Sequence, residues 1–123
     1  MGFVPLSYWN FWFVIMDKIL FINACVRPCS RTLELAKTLL QRLKGEILEV
    51  RLQEMPMVAL DLNGLEKRDQ AAQKNDFSDP TFDSAKQFAA ADIIVIAAPY
   101  WDLMFPATLK TYLENITLSG ITF

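Results

Sequence analysis

Residues 91–116, A91-DIIVIAAPYWDLMFPATLKTYLEN-I116, decide the fold. Ile93, Ile94, Val95 and Ile96 are consecutive β-branched residues, followed by Ala97 and Ala98. Such a run fits a strand covered on both faces, as in a parallel sheet. Pro99 closes it. Pro106 stands where a first helical turn tolerates a missing N–H. Leu109, Tyr112, Leu113 and Ile116 then recur at helical spacing and make one apolar stripe. The stretch therefore predicts strand, loop, helix. The six residues from Tyr100 to Phe105 lie beyond the carboxyl end of the strand.

Upstream the same alternation repeats. Lys18 to Asn23, KILFIN, reads as the first strand, and Ala24 to Cys29 as a turn. Ser30 or a neighbour caps a helix running to about Lys44. Leu33, Ala36, Leu40 and Leu43 supply its apolar positions, and Leu35 and Leu39 widen the face. Gly45 reads as a helix stop. Glu46 to Leu52 reads as the second strand. Strand–helix–strand implies a right-handed crossover and a parallel pair. Residues 53–78 carry little apolar periodicity and read as a surface excursion with one short helix. Asp79-Pro80 opens a helix to about Ala91, with Phe82, Ala85, Phe88 and Ala89 facing inward, and Asp92 begins the third strand.

A chain of 123 residues is long enough for one domain. A formal charge of −2 gives no electrostatic case for nucleic acid or an anionic membrane. The 53% hydrophobic content is high, and much of the excess lies in MGFVPLSYWNFWFVIM at the start. No Lys or Arg precedes Lys18, so a signal peptide's positive region is missing. The apolar run Phe11 to Met16 is too short to span a bilayer. Membrane association is not expected, and a cytoplasmic location is. Residues 1–15 are read as a hydrophobic leader or a non-native extension, because Met16 followed by DKILFINA reads as an ordinary start. Cys25 and Cys29 cannot make a structural zinc site alone, and the chain has no histidine. They read as small turn residues, with a disulfide as the alternative.

Two loops follow strand ends and can hold a ligand. The first is Asn23 to Thr32, NACVRPCSRT. Helix N-termini present unpaired N–H groups and a positive dipole end to phosphate. Ser30 and Thr32 can add hydroxyl donors, and Arg27 or Arg31 a guanidinium. The loop has no glycine, so neither a dinucleotide-binding nor a P-loop fingerprint is present. A phosphate held here is a terminal monophosphate. The competing reading is that Ser30 and Thr32 simply cap the helix. The second loop, Tyr100 to Phe105, lies where open α/β sheets bind ligands, and its aromatic residues can cover a flat aromatic molecule.

Together these elements resemble the flavodoxin-like NAD(P)H:quinone oxidoreductases and FMN-dependent azoreductases. DKILFINACVRPCSRTLELAKTLL carries the first part of the resemblance, and FAAADIIVIAAPYWDLMFPATLKTYLENI with LSGITF the second. The resemblance covers most of Asp17 to Phe123. It implies that Arg27, Ser30 and Thr32 hold an FMN phosphate. It implies that Pro99, Tyr100, Trp101, Asp102, Leu103 and Met104 meet the isoalloxazine, largely through backbone groups. Two departures stand out. The family usually has Asn at the position of Asp102, and an ionised Asp accepts but cannot donate hydrogen bonds. The family also continues past the G-I-T-F stretch with further strands, whereas this sequence stops at Phe123.

The expected fold is therefore α/β: a three-layer flavodoxin-like parallel sheet in the order 2-1-3, truncated after the third strand and its helix. Residues 16–123 would form this partial domain, with the third strand an uncovered apolar edge. The implied chemistry is hydride transfer from NAD(P)H to FMN and on to a quinone-like, flat acceptor. No side chain is assigned as a catalytic acid or base. The resemblance also implies a homodimer for the intact protein. The alternative function is a non-catalytic, flavodoxin-like interaction subunit that binds a partner through its exposed edge.

Overall fold

β1, Lys18–Asn23, is the central strand, and every residue after Lys18 is buried. In this computed structural model, which describes residues 16–123, β1 pairs in parallel with β2, Glu46–Arg51, on one side. It pairs in parallel with β3, Ile93–Ala97, on the other, giving the order β2-β1-β3. Leu20 stands between Leu48 and Ile94, and Phe21 between Glu49 and Val95. The expected topology is the observed one. The reading of residues 1–15 as a leader or extension concerns residues outside those described.

The alternation of β1 builds two cores. Leu20 and Ile22 point to one face and meet Val50, Leu52, Leu109, Tyr112 and Ile116. Ile19 and Phe21 point to the other and meet Ala36, Leu40, Ile47 and Ala97. Each fully buried large side chain contributes about 1.5–3 kcal/mol, so β1 anchors both layers. α1, Arg31–Arg42, covers the second face through Ala36 and Leu40. α3, Asp83–Ala90, and α4, Ala107–Ile116, lie on the first. α2, Leu62–Lys74, precedes them outside this core. The result is a helix–sheet–helix sandwich.

Several details differ from the sequence reading. β2 ends one residue early, because Leu52 enters a 3-10 turn, Leu52–Glu54, that buries its side chain. α2 is a 13-residue helix rather than a short one. It lacks an apolar stripe but is fixed at its ends: Asp61 caps the N-terminus, and Asn75, with φ of 48°, closes the C-terminus. The Arg68 guanidinium donates to the carbonyls of Glu114 and Thr117, tying α2 to the end of α4. Ala71 and Leu118 join Phe82 and Ala85 in a small cluster below it. The segment opening at Pro80 begins as a 3-10 turn, Pro80–Phe82, before α3. Ala89 faces solvent there, not the core, because the eight-residue helix presents only Ala85 and part of Phe88 inward.

Leu35 and Leu39, expected to widen the inner face of α1, are 73% and 49% exposed. β3 is the edge strand expected, among the described residues, but it is not covered on both faces as its β-branched run suggested: Ile96 is 44% exposed. The two edges contrast in chemistry. β2 carries Glu46, Glu49 and Arg51, charges that guard an edge, whereas β3 carries none.

Gly45 is needed for a reason other than stopping α1. Its φ is 154°, and a Cβ there would lie 2.5 Å from the Asp17 carbonyl oxygen. That carbonyl accepts from the Glu46 N–H at 2.9 Å. The close approach of the two chain segments, rather than a helix cap, excludes a side chain.

Candidate functional site

All three strands point their carboxyl ends the same way, so the loops after β1 and β3 meet. The junction is closely bonded. The Ala24 N–H donates to the Ala97 carbonyl at 2.8 Å, extending the β1–β3 ladder by one step. The buried Asn23 side chain accepts from the Cys25 N–H at 3.0 Å and turns the chain outward. Cys25 is buried, with its Sγ 3.7 Å from the Ala97 carbonyl oxygen, and Cys29 is exposed; both are free thiols.

The first loop ends in a helix cap. The Ser30 hydroxyl accepts from the Leu33 N–H at 3.2 Å, and the Ser30 carbonyl accepts from the Glu34 N–H. The capping reading of Ser30 is therefore realised. It does not remove the anion-binding potential. The N–H groups of Arg31 and Thr32 lie in the first turn, which has no helical acceptors for them. The Ser30 hydroxyl hydrogen is not used by the cap bond. Arg27 and Arg31 are exposed and have no side-chain partner among the described residues.

The second loop is a tight hairpin. Trp101 and Met104 exchange two backbone hydrogen bonds of 2.8 Å around Asp102 and Leu103. Both central residues have positive φ, 50° and 64°, as a two-residue turn of the primed type requires. Asp tolerates this conformation; Leu does so at a steric cost. The turn projects apolar side chains outward: Tyr100 is 67% and Leu103 84% exposed.

Between the two loops lies a cleft of about 540 Å3 lined by Val26, Arg27, Cys29, Ser30, Arg31, Pro99 and Trp101. Four of the residues expected at a site, Arg27, Ser30, Pro99 and Trp101, are thus brought together. Thr32 is half-buried on α1 and does not line the cleft; Tyr100, Asp102, Leu103 and Met104 stand on its exposed rim loop without lining it. Val26 and Cys29 line it and were missed. Their place in the loop offered no chemical signal, because small and apolar turn residues are common. The cleft combines two unpaired cations and a helix N-terminus at one end with an indole at the other. That combination suits a ligand with a phosphate and a flat aromatic body. Among the described residues no cluster of acids and cysteines could hold a metal ion, and no helix is long and apolar enough to cross a membrane.

A parallel α/β sheet with a phosphate-suited cleft at its carboxyl edge defines a class of nucleotide- or flavin-binding proteins. Residues 17–123 match the family described as having a flavodoxin-like fold, and the chain belongs to that family. It is 35% identical over 115 residues to an FMN-dependent NADH:quinone oxidoreductase of Clostridium beijerinckii, covering 88% of this chain and 58% of that protein. The azoreductase from Bacillus anthracis str. Sterne superposes with a TM-score of 0.69 at 23% identity, over 88% of this chain and 59% of its own. An FMN-dependent NADH-azoreductase from Bacillus anthracis str. Ames Ancestor, in complex with FMN, superposes with a TM-score of 0.67 at 21% identity. It is matched over 87% of this chain and 59% of its own. The chain thus spans less than two thirds of the length of the relatives it matches.

Proposed function

We propose that this chain is the FMN-phosphate-binding part of an FMN-dependent NAD(P)H oxidoreductase that reduces a flat, quinone-like acceptor. The observation that carries the proposal is the single cleft joining Arg27 and Ser30 of the first loop to Pro99 and Trp101 of the second. The fold match and the names of its relatives support it.

The residues present fit the cofactor. The N–H groups of Arg31 and Thr32 and the Ser30 hydroxyl would donate to the phosphate, with Arg27 and Arg31 neutralising its charge. This assigns Thr32 a backbone role. Pro99 and Trp101 would bound the ring, and Tyr100, Leu103 and Met104 would shield it from water. When bound, FMN supplies the redox chemistry by accepting a hydride and passing on two electrons. The protein's part is to bind, orient and exclude water. These 123 residues contain no histidine, so the Tyr100 hydroxyl, solvent or a residue outside this sequence would deliver a proton.

Titration of the chain with FMN, followed by quenching of flavin fluorescence, tests the proposal. Saturable binding that Arg27→Ala together with Arg31→Ala weakens at least ten-fold is the expected result. NADH oxidation with a quinone acceptor then reads the activity. A colourless protein with unquenched FMN would sink the reading. One observation favours the alternative interaction role: the uncharged β3 edge with Ile96 exposed. That role predicts a partner that protects β3 amides from hydrogen exchange in the absence of flavin.

A further inference from the structure

A second cleft, of about 360 Å3, shares no lining residue with the first. Met55, Met57 and Val58, from the segment after β2, form one wall; Ser84 of α3 and Tyr112 and Asn115 of α4 face them. Tyr112 is fully buried, and its hydroxyl has no hydrogen-bond partner among the described residues. A buried, unpaired hydroxyl is unfavourable, and such groups are rare in folded proteins. Burial also pushes the phenol far above its usual range, so the hydroxyl stays neutral and can both donate and accept.

Two other polar groups of the cleft point the same way, whereas the Thr81 hydroxyl is already bonded to Asp79 and Lys67. The Asn115 amide nitrogen donates to the Val58 carbonyl at 3.2 Å and the Thr111 carbonyl at 2.8 Å. Both amide hydrogens are thereby used, and the carboxamide oxygen has no donor among the described residues. The Ser84 hydroxyl has no side-chain or backbone partner there either. No acidic or basic side chain lines the cleft. A charged ligand would therefore be desolvated without a counter-charge. The two methionines give an apolar wall that adapts to shape, and the bond from Asn115 to Val58 holds that wall to α4.

We propose that this cleft opens to the fully buried Tyr112 hydroxyl beneath it and binds a small, uncharged, mostly apolar molecule bearing one hydroxyl or carbonyl group, anchored by that hydroxyl. This site is separate from the cleft at the strand ends and does not depend on the flavin reading.

Phenol and toluene are the probes, because they match in size and differ in the hydrogen-bonding group. Each is titrated into the full chain carrying 13C-labelled methionine methyl groups. Phenol is expected to shift the Met55 and Met57 resonances saturably, to leave Met104 in place, and to bind more tightly than toluene. Tyr112→Phe should weaken phenol about ten-fold and leave toluene unchanged. Met57→Trp, which fills the cleft, should weaken both and covers the case in which Tyr112→Phe does not fold. The proposal is overturned if phenol gives no saturable shift, as when a trapped water alone satisfies Tyr112. It is equally overturned if Tyr112→Phe lowers both affinities alike, or if Met57→Trp lowers neither.

Discussion

Ser30 has two possible duties that substitution can separate. Its hydroxyl accepts the Leu33 N–H as a cap, and it sits on the cleft beside Arg27 and Arg31. Ser30→Asp keeps a capping oxygen but sets a carboxylate against an incoming phosphate. We expect it to retain stability and to lose FMN binding. Ser30→Ala should lose both, with a stability decrease of about 1 kcal/mol. Urea denaturation paired with flavin titration measures the split; equal FMN affinity for Ser30→Asp and wild type would remove Ser30 from the phosphate site. The turn at Asp102 and Leu103 gives a second prediction. Both residues have positive φ, where Asn-Gly is favoured over Asp-Leu. The double change Asp102→Asn, Leu103→Gly should raise stability by about 1 kcal/mol. The Asp102 carboxylate is exposed and does not line the cleft. The Asn side chain should therefore leave the midpoint potential of bound FMN unchanged, which spectroelectrochemical titration would show.

At the scale of elements, the joints matter more than the helix interiors. The 3-10 turn Pro80–Phe82 is opened by Asp79, whose carboxylate accepts from the Thr81 N–H at 2.8 Å and pairs with Lys67 at 3.1 Å. The Thr81 hydroxyl and N–H, then the Lys67 ammonium, hold the Asp79 carboxyl down at about 2. A depressed carboxyl favours the folded state above its unfolded value, near 3.8. That contribution is lost as pH falls from there toward 2. Asp79→Asn should thus lower the urea midpoint at pH 7, by an amount that shrinks below pH 4 and disappears as pH falls through and below 2. A deficit persisting unchanged at pH 2 would show that the charge is not its source. The α1–β2 joint is less forgiving. Gly45→Ala places a methyl group 2.5 Å from the Asp17 carbonyl oxygen. Separating these segments would also disturb the adjoining bond from Glu46 to that oxygen. A loss of about 2 kcal/mol or more is expected in thermal or urea unfolding.

At the scale of the whole molecule, the sheet has, among the described residues, one saturated strand and two unequal edges. β1 is buried on both faces and paired on both sides. The β2 edge carries charge, and the β3 edge, with Ile96 exposed, does not. An uncharged edge of this kind recruits another strand. The chain of 123 residues is therefore expected to self-associate in dilute buffer. Ile96→Lys should shift it toward monomer in size-exclusion light scattering. A monodisperse wild-type monomer at high concentration would count against this view of the edge.

The family resemblance implied the central place of β1; taken by itself, the sequence determined the element types, the parallel pairing and the position of both loops. These are properties of local pattern: a β-branched run such as Ile93 to Ile96, a helical stripe such as Leu109, Tyr112 and Ile116, and turn residues between them. The long α2 was not legible, because its stability comes from Asp61, Asn75 and the reach of Arg68 to α4 rather than from an apolar face. The same holds for Gly45, whose need for a missing side chain is created by Asp17, distant in sequence. At the site, residue type together with the family resemblance pointed to Arg27, Ser30, Pro99 and Trp101. Only the tertiary structure decided that these four share one cleft with Val26 and Cys29, and that Thr32, Asp102 and Leu103 do not line it. Sequence spacing constrains which face of an element a residue occupies. Which faces meet is set by packing across the sheet, and a cleft is a property of that meeting.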